Sequence, residues 1–399
     1  MADTARRKPS EAGSARKPRE RQRSATLPNC GQGRQLDLSN ALGELKRLLV
    51  KASNICYNTI KYVHEGNGMS FEDDNKEFYE EVKKITRIEE EILSKFKWRN
   101  CCLTQKTIYH YTSPAGLLGI VSDRTKLWFS RYDCLNDKLE GRFVYTVYRD
   151  TVNGLLKSHE ISEDFCQLVQ SFTFNSIEFF PCKIEAAMPE GAKQVVDCMV
   201  PLECQSYLCC FSTNWDSLPN WNYYSKDLSN RGYNVGFTTD EFTKATTTRG
   251  CYLLEFKKIQ YGESILKKHI TELMLAVYQR RQELGEDGVL QVVSGQLFEW
   301  LLTTKSDHFK HEQEVRAILK VPLMMPAEVK EEKLDVRYRT INGYIVPYVE
   351  LEFSKECVSE ITLGPLLDLN TALNGVKQLR DDRGYTHVKI NASKIQLRY

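Results

Sequence analysis

An α+β fold is the class this sequence predicts, and three observations point there. Short β-branched and aromatic runs are mixed with amphipathic helical stretches, without the regular strand-helix-strand alternation of a doubly wound sheet. Of the 399 residues, 41% are hydrophobic and 11% aromatic, which supplies a core and excludes a wholly disordered, collagen-like or coiled-coil chain. The length accommodates two or three folding units, and one main domain with an attached helical region is the simplest division. No segment approaches the roughly 18 consecutive apolar residues of a membrane span, and the N-terminus carries charge where a secretory signal would carry its apolar stretch. A soluble, intracellular chain with no membrane partner is therefore expected, cytoplasmic or nuclear.

The net charge of +2 conceals an asymmetry, because the first thirty residues hold eight Lys or Arg against three acids. A basic Ser/Pro/Arg stretch without apolar periodicity cannot offset its ordering entropy, so residues 1–35 are expected to be a disordered tail. Two roles stay open for it: a solvated leader, or an import or nucleic-acid-contacting arm through residues 1–30. The thirteen cysteines are odd in number and follow no secretion signal, which favours free thiols over disulfides. The close pairs Cys101-Cys102 and Cys209-Cys210 are adjacent rather than in CxxC spacing, so structural zinc is not expected.

From Leu36 a helical period begins, with Leu38, Leu42, Leu45 and Leu49 at three- and four-residue steps. A second helix is read over Phe71 to Phe96, with Phe78, Val82, Ile85, Ile88 and Ile92 as its apolar stripe, so residues 36–100 read as a helical hairpin. Residues 101–399 form the α+β domain. Strands are expected at Thr107–Tyr111 and Lys126–Ser130, around a short helix opened by Pro114. Helices follow at Lys138–Ser158 and Ser162–Phe172, while Asn175–Pro201 gives no clear signal. Further strands are read at Ser206–Phe211, Tyr233–Phe237, Tyr252–Tyr261, Glu314–Val321, Tyr344–Phe353, Val358–Leu363 and His387–Ile390. Helices are read at Ser264–Leu284, Gly288–Thr303 and Leu366–Asp382.

There is no Walker lysine loop, no GxGxxG after a strand, no HExxH and no GxSxG elbow, which removes the common NTPase, dehydrogenase, zinc-protease and serine-hydrolase readings. Three polar-aromatic clusters remain. In Tyr109-His110-Tyr111-Thr112 a strand places His110 and Thr112 on one face, where they suit a sugar hydroxyl; the alternative is a buried histidine satisfied by backbone. In Phe211 to Ser225 a strand ends in a polar turn, and a helix starts at Asp216 or Ser217, with Trp221 and Tyr224 on one face. These aromatics suit either a stacking platform for a planar ring or core packing. In Glu312-Gln313-Glu314-Val315-Arg316 a strand period puts Glu312, Glu314 and Arg316 together. Two carboxylates there could stabilise a developing cation, and an exposed edge strand with a Glu-Arg pair is the rival reading. Asn136, Asp137 and Glu140 are explained by a capping box.

The order His110, Phe211-Ser212-Thr213 to Tyr224, then Glu312-x-Glu314-Val315 resembles the ADP-ribosyltransferase superfamily. More closely, Leu127-Trp128-Phe129-Ser130, Leu135-Asn136-Asp137, Cys210-Phe211-Ser212, Trp221-Asn222-Tyr223-Tyr224, Glu312 to Arg316 and Glu360 to Pro365 look like an uncharacterised bacterial domain-of-unknown-function family, numbered 2971. That similarity covers about residues 105 to 399. It implies split, mostly antiparallel sheets enclosing a site for NAD, the substrate. By the same resemblance His110 and Thr112 would hold the adenosine ribose, Ser212 and Thr213 would brace the site, and Tyr224, beside Trp221, would stack on nicotinamide. Glu314 would be the catalytic glutamate, and Glu312 matches the extra glutamate of arginine-modifying members. The implied activity is transfer of ADP-ribose from NAD to a protein or nucleic-acid acceptor, or NAD hydrolysis. The alternative is a non-catalytic nucleotide-binding or sensing module. The chain departs from the superfamily at Cys210, where many members have tyrosine, and it lacks a recognisable arginine-acceptor loop.

Overall fold

The computed structural model describes residues 76–96, 105–135, 140–171, 176–187, 193–224, 231–244, 252–324, 333–341 and 343–396, all within one compact unit of residues 38–399. The expected tail at 1–35, the first helix of the expected hairpin, and Asn136 and Asp137 lie outside the described residues. The chain runs α1 (Lys76–Leu93), β1 (Thr107–Thr112), α2 (Pro114–Ile120), β2 (Thr125–Arg131), α3 (Glu140–Lys157), α4 (Glu163–Gln170), β3 (Ser176–Ala187), β4 (Lys193–Ser212) and α5 (Leu218–Tyr224). It continues through β5 (Tyr233–Thr238), α6 (Thr239–Lys244), β6 (Leu253–Lys258), β7 (Gln260–Tyr261), α7 (Glu263–Thr303), β8 (Thr304–Lys305), β9 (Glu314–Pro322), β10 (Val336–Ile341), β11 (Tyr344–Phe353), β12 (Val358–Leu363), α8 (Leu369–Asp382) and β13 (Lys389–Ala392). Among the described residues no helix is long and apolar enough to cross a membrane.

The result is a mixed α+β architecture around a large, open, mostly antiparallel sheet. One sequence expectation changes and one holds. The segment that gave no signal, 175–201, forms most of a long hairpin in which β3 pairs with β4 from Ser176 opposite Cys204 to Ala187 opposite Lys193. The two helices read at Ser264–Leu284 and Gly288–Thr303 are both present as the halves of α7, which is broken at Gly285, whose φ of 66° lies in the left-handed region that a glycine adopts without penalty.

β4 organises the sheet. One of its edges is taken by β9 from Cys204 to Ser212. The other is shared in succession by β3, by β2 at Tyr207 and Leu208, and by β1 at Ser212. β1 and β2 run in the same direction along that edge, and their registers would both claim residues 209–211. Neither pairs there, so the sheet parts into two arms, β1-β5-β12-β13 and β2-β11-β10.

Period two then gives each face its own chemistry. Tyr207, Cys209 and Phe211 of β4 join Val315, Ala317 and Leu319 of β9, Phe129, Val235, Phe237 and Phe353 in the main core, which is completed by α2, α6 and α8. On the opposite face Leu208 and Ile318 pack on Phe298 and Leu302 of α7. Beyond that contact α7 joins α1, α3 and α4 in a helical core that includes Ile88, Ile92, Tyr148, Val152, Phe165, Ile270 and Trp300. Of the stripe read for the second N-terminal helix, Ile85, Ile88 and Ile92 lie on the buried side of α1.

Candidate functional site

Ser212 sits directly opposite Glu314, and Cys210 opposite Arg316, so these four side chains leave the sheet on the α7 face. Where Leu208 and Ile318 end the apolar contact, a buried ionic cluster begins. Glu314 is 3% exposed and Arg316 1%. Arg316 Nε donates to Glu314 Oε1 at 2.9 Å, and its Nη1 donates to the Leu302 carbonyl at 2.8 Å, which anchors the guanidinium to the end of α7. Lys305, on the two-residue strand β8, bridges both acids, 2.7 Å from Glu314 Oε2 and 2.9 Å from Glu312 Oε2. Two carboxylates and two cations make the cluster formally neutral, which is the condition for keeping such charges out of water.

Glu312 arrives differently from the sequence expectation. It ends a 3-10 turn, Asp307–Glu312, rather than lying in a strand. Gln313, with φ 46° and ψ 49°, adopts the left-handed conformation, and only then does β9 begin. This reversal lets residues 312 and 314 approach one ammonium from two directions. Ser212 Oγ donates to the Glu312 carbonyl at 2.7 Å, and the Thr213 amide donates to the Gln313 carbonyl at 2.9 Å, so the end of β4 fixes the turn that carries the acids. The rival reading of an exposed edge strand does not describe β9, which is buried along its whole length between β4 and β6.

α5 closes the cluster from the other side. Tyr224 donates its hydroxyl to Glu312 Oε1 at 3.1 Å, and Asn220 reaches the Glu312 carbonyl. Trp221 is fully buried, edge-on to Tyr111 at 4.8 Å, and donates to Asp216 at 2.9 Å, so its ring is committed to packing. Tyr111 itself donates to the Asn214 carbonyl and accepts from the Ser217 amide, tying β1 to the start of α5.

The electrostatics follow from burial and charge. Desolvation opposes ionisation of Glu314, but Arg316 and Lys305, with hydrogen bonds from Arg316 and Cys210, hold its pKa at about 2. Burial, reinforced by Glu312, pushes the Tyr224 phenol far up and keeps it a donor. Burial and the Glu314 charge likewise keep the Cys210 thiol protonated.

His110 and Thr112 take the other face. His110 pairs in register with Val235 and Thr112 with Tyr233, alongside Ile108 and Phe237 of the main core. Thr112 lies beneath α2, where a side chain at Gly116 would collide with its hydroxyl. The His110 ring lies 5.5 Å from that of Phe211, and its Nδ1 is 2.9 Å from the Cys210 carbonyl. A carbonyl only accepts, so Nδ1 carries the proton and Nε2 is left as an acceptor. The bond falls within residues 209–211, where the two arms part. Burial lowers the His110 pKa, the Cys210 carbonyl partly counters this, and the charge of Arg339 on β10 adds to the lowering.

The structure thus brings Ser212, Tyr224, Glu312 and Glu314 together, with Thr213 bracing the turn, and sets His110 and Thr112 on the far side of the sheet. Lys305, Tyr261 and Tyr111 were not singled out from the sequence. Lys305 stands in no periodic run, and Tyr261, whose hydroxyl accepts from the Glu314 amide at 2.8 Å, follows a strand of ordinary composition. Tyr111 did carry a signal, since it alternates with His110 and so belongs to the opposite face.

Residues 220–317 match the family described as Protein of unknown function (DUF2971). The matched stretch runs from Asn220 in α5 to Ala317 in β9 and so contains Tyr224, Lys305, Glu312, Glu314 and Arg316. No curated protein and no solved structure matches the chain.

Proposed function

We propose that this chain cleaves the glycosidic bond between nicotinamide and ribose in NAD and passes the ADP-ribosyl group to a macromolecule, or to water when no acceptor is bound. The observation that carries the reading is the meeting of Glu312 and Glu314 around Lys305, with Tyr224 on one acid and Ser212 fixing the turn between them. The resemblance of these motifs, in chain order, to the ADP-ribosyltransferase superfamily supports it, as does the parting of the sheet at β4. In this reading the bond from C1′ to the nicotinamide nitrogen breaks, and nicotinamide leaves with the electron pair. The sugar acquires oxocarbenium character, which an ionised Glu314 stabilises chiefly in the transition state. The acceptor heteroatom bonds to C1′, and its proton passes to Glu312. Lys305 is the member that must yield, because its flexible stem can swing while Arg316 is tied to the Leu302 carbonyl.

One observation favours a second reading, nucleotide binding without turnover: both acids are already engaged by cations, and His110 and Thr112 face the main core. Incubation of the full chain with labelled NAD, beside Glu314→Gln and Glu312→Gln, separates the two. Catalysis predicts nicotinamide release that falls about a hundred- to a thousandfold in Glu314→Gln while circular dichroism stays unchanged. Calorimetric binding of NAD with no release at all would leave only the sensing module, and equal release by parent and Glu314→Gln would remove that acid from the chemistry.

A further inference from the structure

Arg339 is a half-buried cation with no carboxylate partner among the described residues. Its guanidinium carbon lies 5.1 Å from the Trp128 ring centre and 5.6 Å from that of Tyr348, and Nη2 donates to Ser130 Oγ at 2.7 Å. Its Nε is buried and finds no acceptor. The nearby acid, Glu350, is committed elsewhere, accepting from Trp128 Nε1 at 2.8 Å, from Arg337 at 3.0 Å and from Lys126 at 3.4 Å. Lys126, Arg337 and Arg339 against Glu350 and Glu352 leave this surface of β2, β11 and β10 positive. Trp128 is 44% exposed, so the surface opens to solvent beside the guanidinium. Ser130 pairs with Leu208, where β2 leaves β4, so Arg339 stands on the β2 side of the gap between the two arms.

A guanidinium clamped by two rings and one hydroxyl has already lost its rotamer freedom, so an arriving anion does not have to order it. Its planar fork matches an oxyanion with two oxygens in one plane, and the Nη end, of which Ser130 engages only one nitrogen, keeps N–H donors for it. The 44%-exposed Trp128 ring beside the guanidinium offers an apolar face on which a sugar or base of the same ligand can lie. We propose that Arg339, seated on Trp128 and Tyr348 and braced by Ser130, binds the phosphate of a small phosphorylated sugar or nucleotide. Ser130, which braces Arg339, pairs with Leu208, and Glu314 pairs with Ser212 four residues further along β4, so the proposal holds whether or not those acids turn over NAD.

The test titrates the full chain with ADP, ribose 5-phosphate, inorganic phosphate and adenosine, followed by calorimetry and by Trp fluorescence, with Trp128→Phe assigning the optical signal. ADP and ribose 5-phosphate are expected to bind, adenosine at least about tenfold more weakly, and the ADP affinity is expected to fall with salt. Arg339→Gln should weaken ADP by about ten- to a hundredfold. Arg339→Lys keeps the charge but gives up the fork, and should lose several-fold while remaining folded. Failure of the parent to bind ADP at millimolar concentration, adenosine binding as tightly as ADP, or Arg339→Lys matching the parent would each overturn the site. Inorganic phosphate binding as tightly as both esters would show that the sugar contributes nothing and overturn that part. Because none of these ligands contains nicotinamide, the outcome is independent of turnover at Glu314.

Discussion

Along β9 the two faces of one strand live in different media. Val315, Ala317 and Leu319 are fully buried in hydrocarbon, while Glu314 and Arg316, equally buried, face a pair of opposite charges and a backbone carbonyl. Burial alone therefore does not separate core from candidate site here; the distinction lies in what each side chain requires of its neighbours. Leu319 needs only volume and contact. Arg316 needs specific acceptors, and the loss of any one leaves an uncompensated charge.

The largest test of this contrast is to damage each face of β9 once. Arg316→Met should cost about 3–5 kcal/mol in urea unfolding, because Glu314 loses its main counter-charge. Leu319→Ala should cost a comparable ~2–5 kcal/mol through a cavity. The two diverge on repair: adding Glu314→Gln to Arg316→Met should restore part of the loss, whereas the same change added to Leu319→Ala should deepen it. Additive losses in both doubles would erase the distinction between the faces.

Acid provides a second, somewhat smaller test. The Glu314 pKa of about 2 in the folded chain lies below its ordinary 4.5, so the stability it contributes is complete above pH 4.5 and is lost as pH falls through 2. Its size is on the order of 3 kcal/mol. Urea midpoints measured across that window should fall more steeply for the parent than for Glu314→Gln; parallel curves would mean that Glu314 does not titrate there. The smallest expected effect sharpens the boundary of the cluster. Tyr224→Phe removes one hydrogen bond to Glu312 but leaves Lys305 in place, and should cost about 1–2 kcal/mol.

Much of the sheet was legible because its strands carry plain period-two or apolar runs, as in Val315 to Val321 or Tyr344 to Phe353. The hairpin of β3 and β4 was not, because Pro181, Lys183, Asp197 and Pro201 break every simple pattern, and long-range pairing rather than local preference sets the structure. β10 escaped notice for a related reason: Val336-Arg337-Tyr338-Arg339-Thr340-Ile341 mixes charge and aromatic groups as an exposed edge strand does. At the site, Glu314 and Arg316 were readable as same-face neighbours from period two. Lys305 was not, since its position depends on where α7 ends and on the pairing of β8 with β7. The face taken by His110 was implicit in the alternation with Tyr111, but which face carried the acids emerged only from the register of Ser212 with both Tyr109 and Glu314.

The left-handed turn at Gln313 has a consequence for how this region tolerates change. Glycine or asparagine could stand there without disturbing either acid, while valine or isoleucine would force the backbone out of that conformation and scatter the two carboxylates. The spacing between the acids is thus set by a residue that contributes no charge of its own, and it offers a handle for retuning the pair while both glutamates stay untouched.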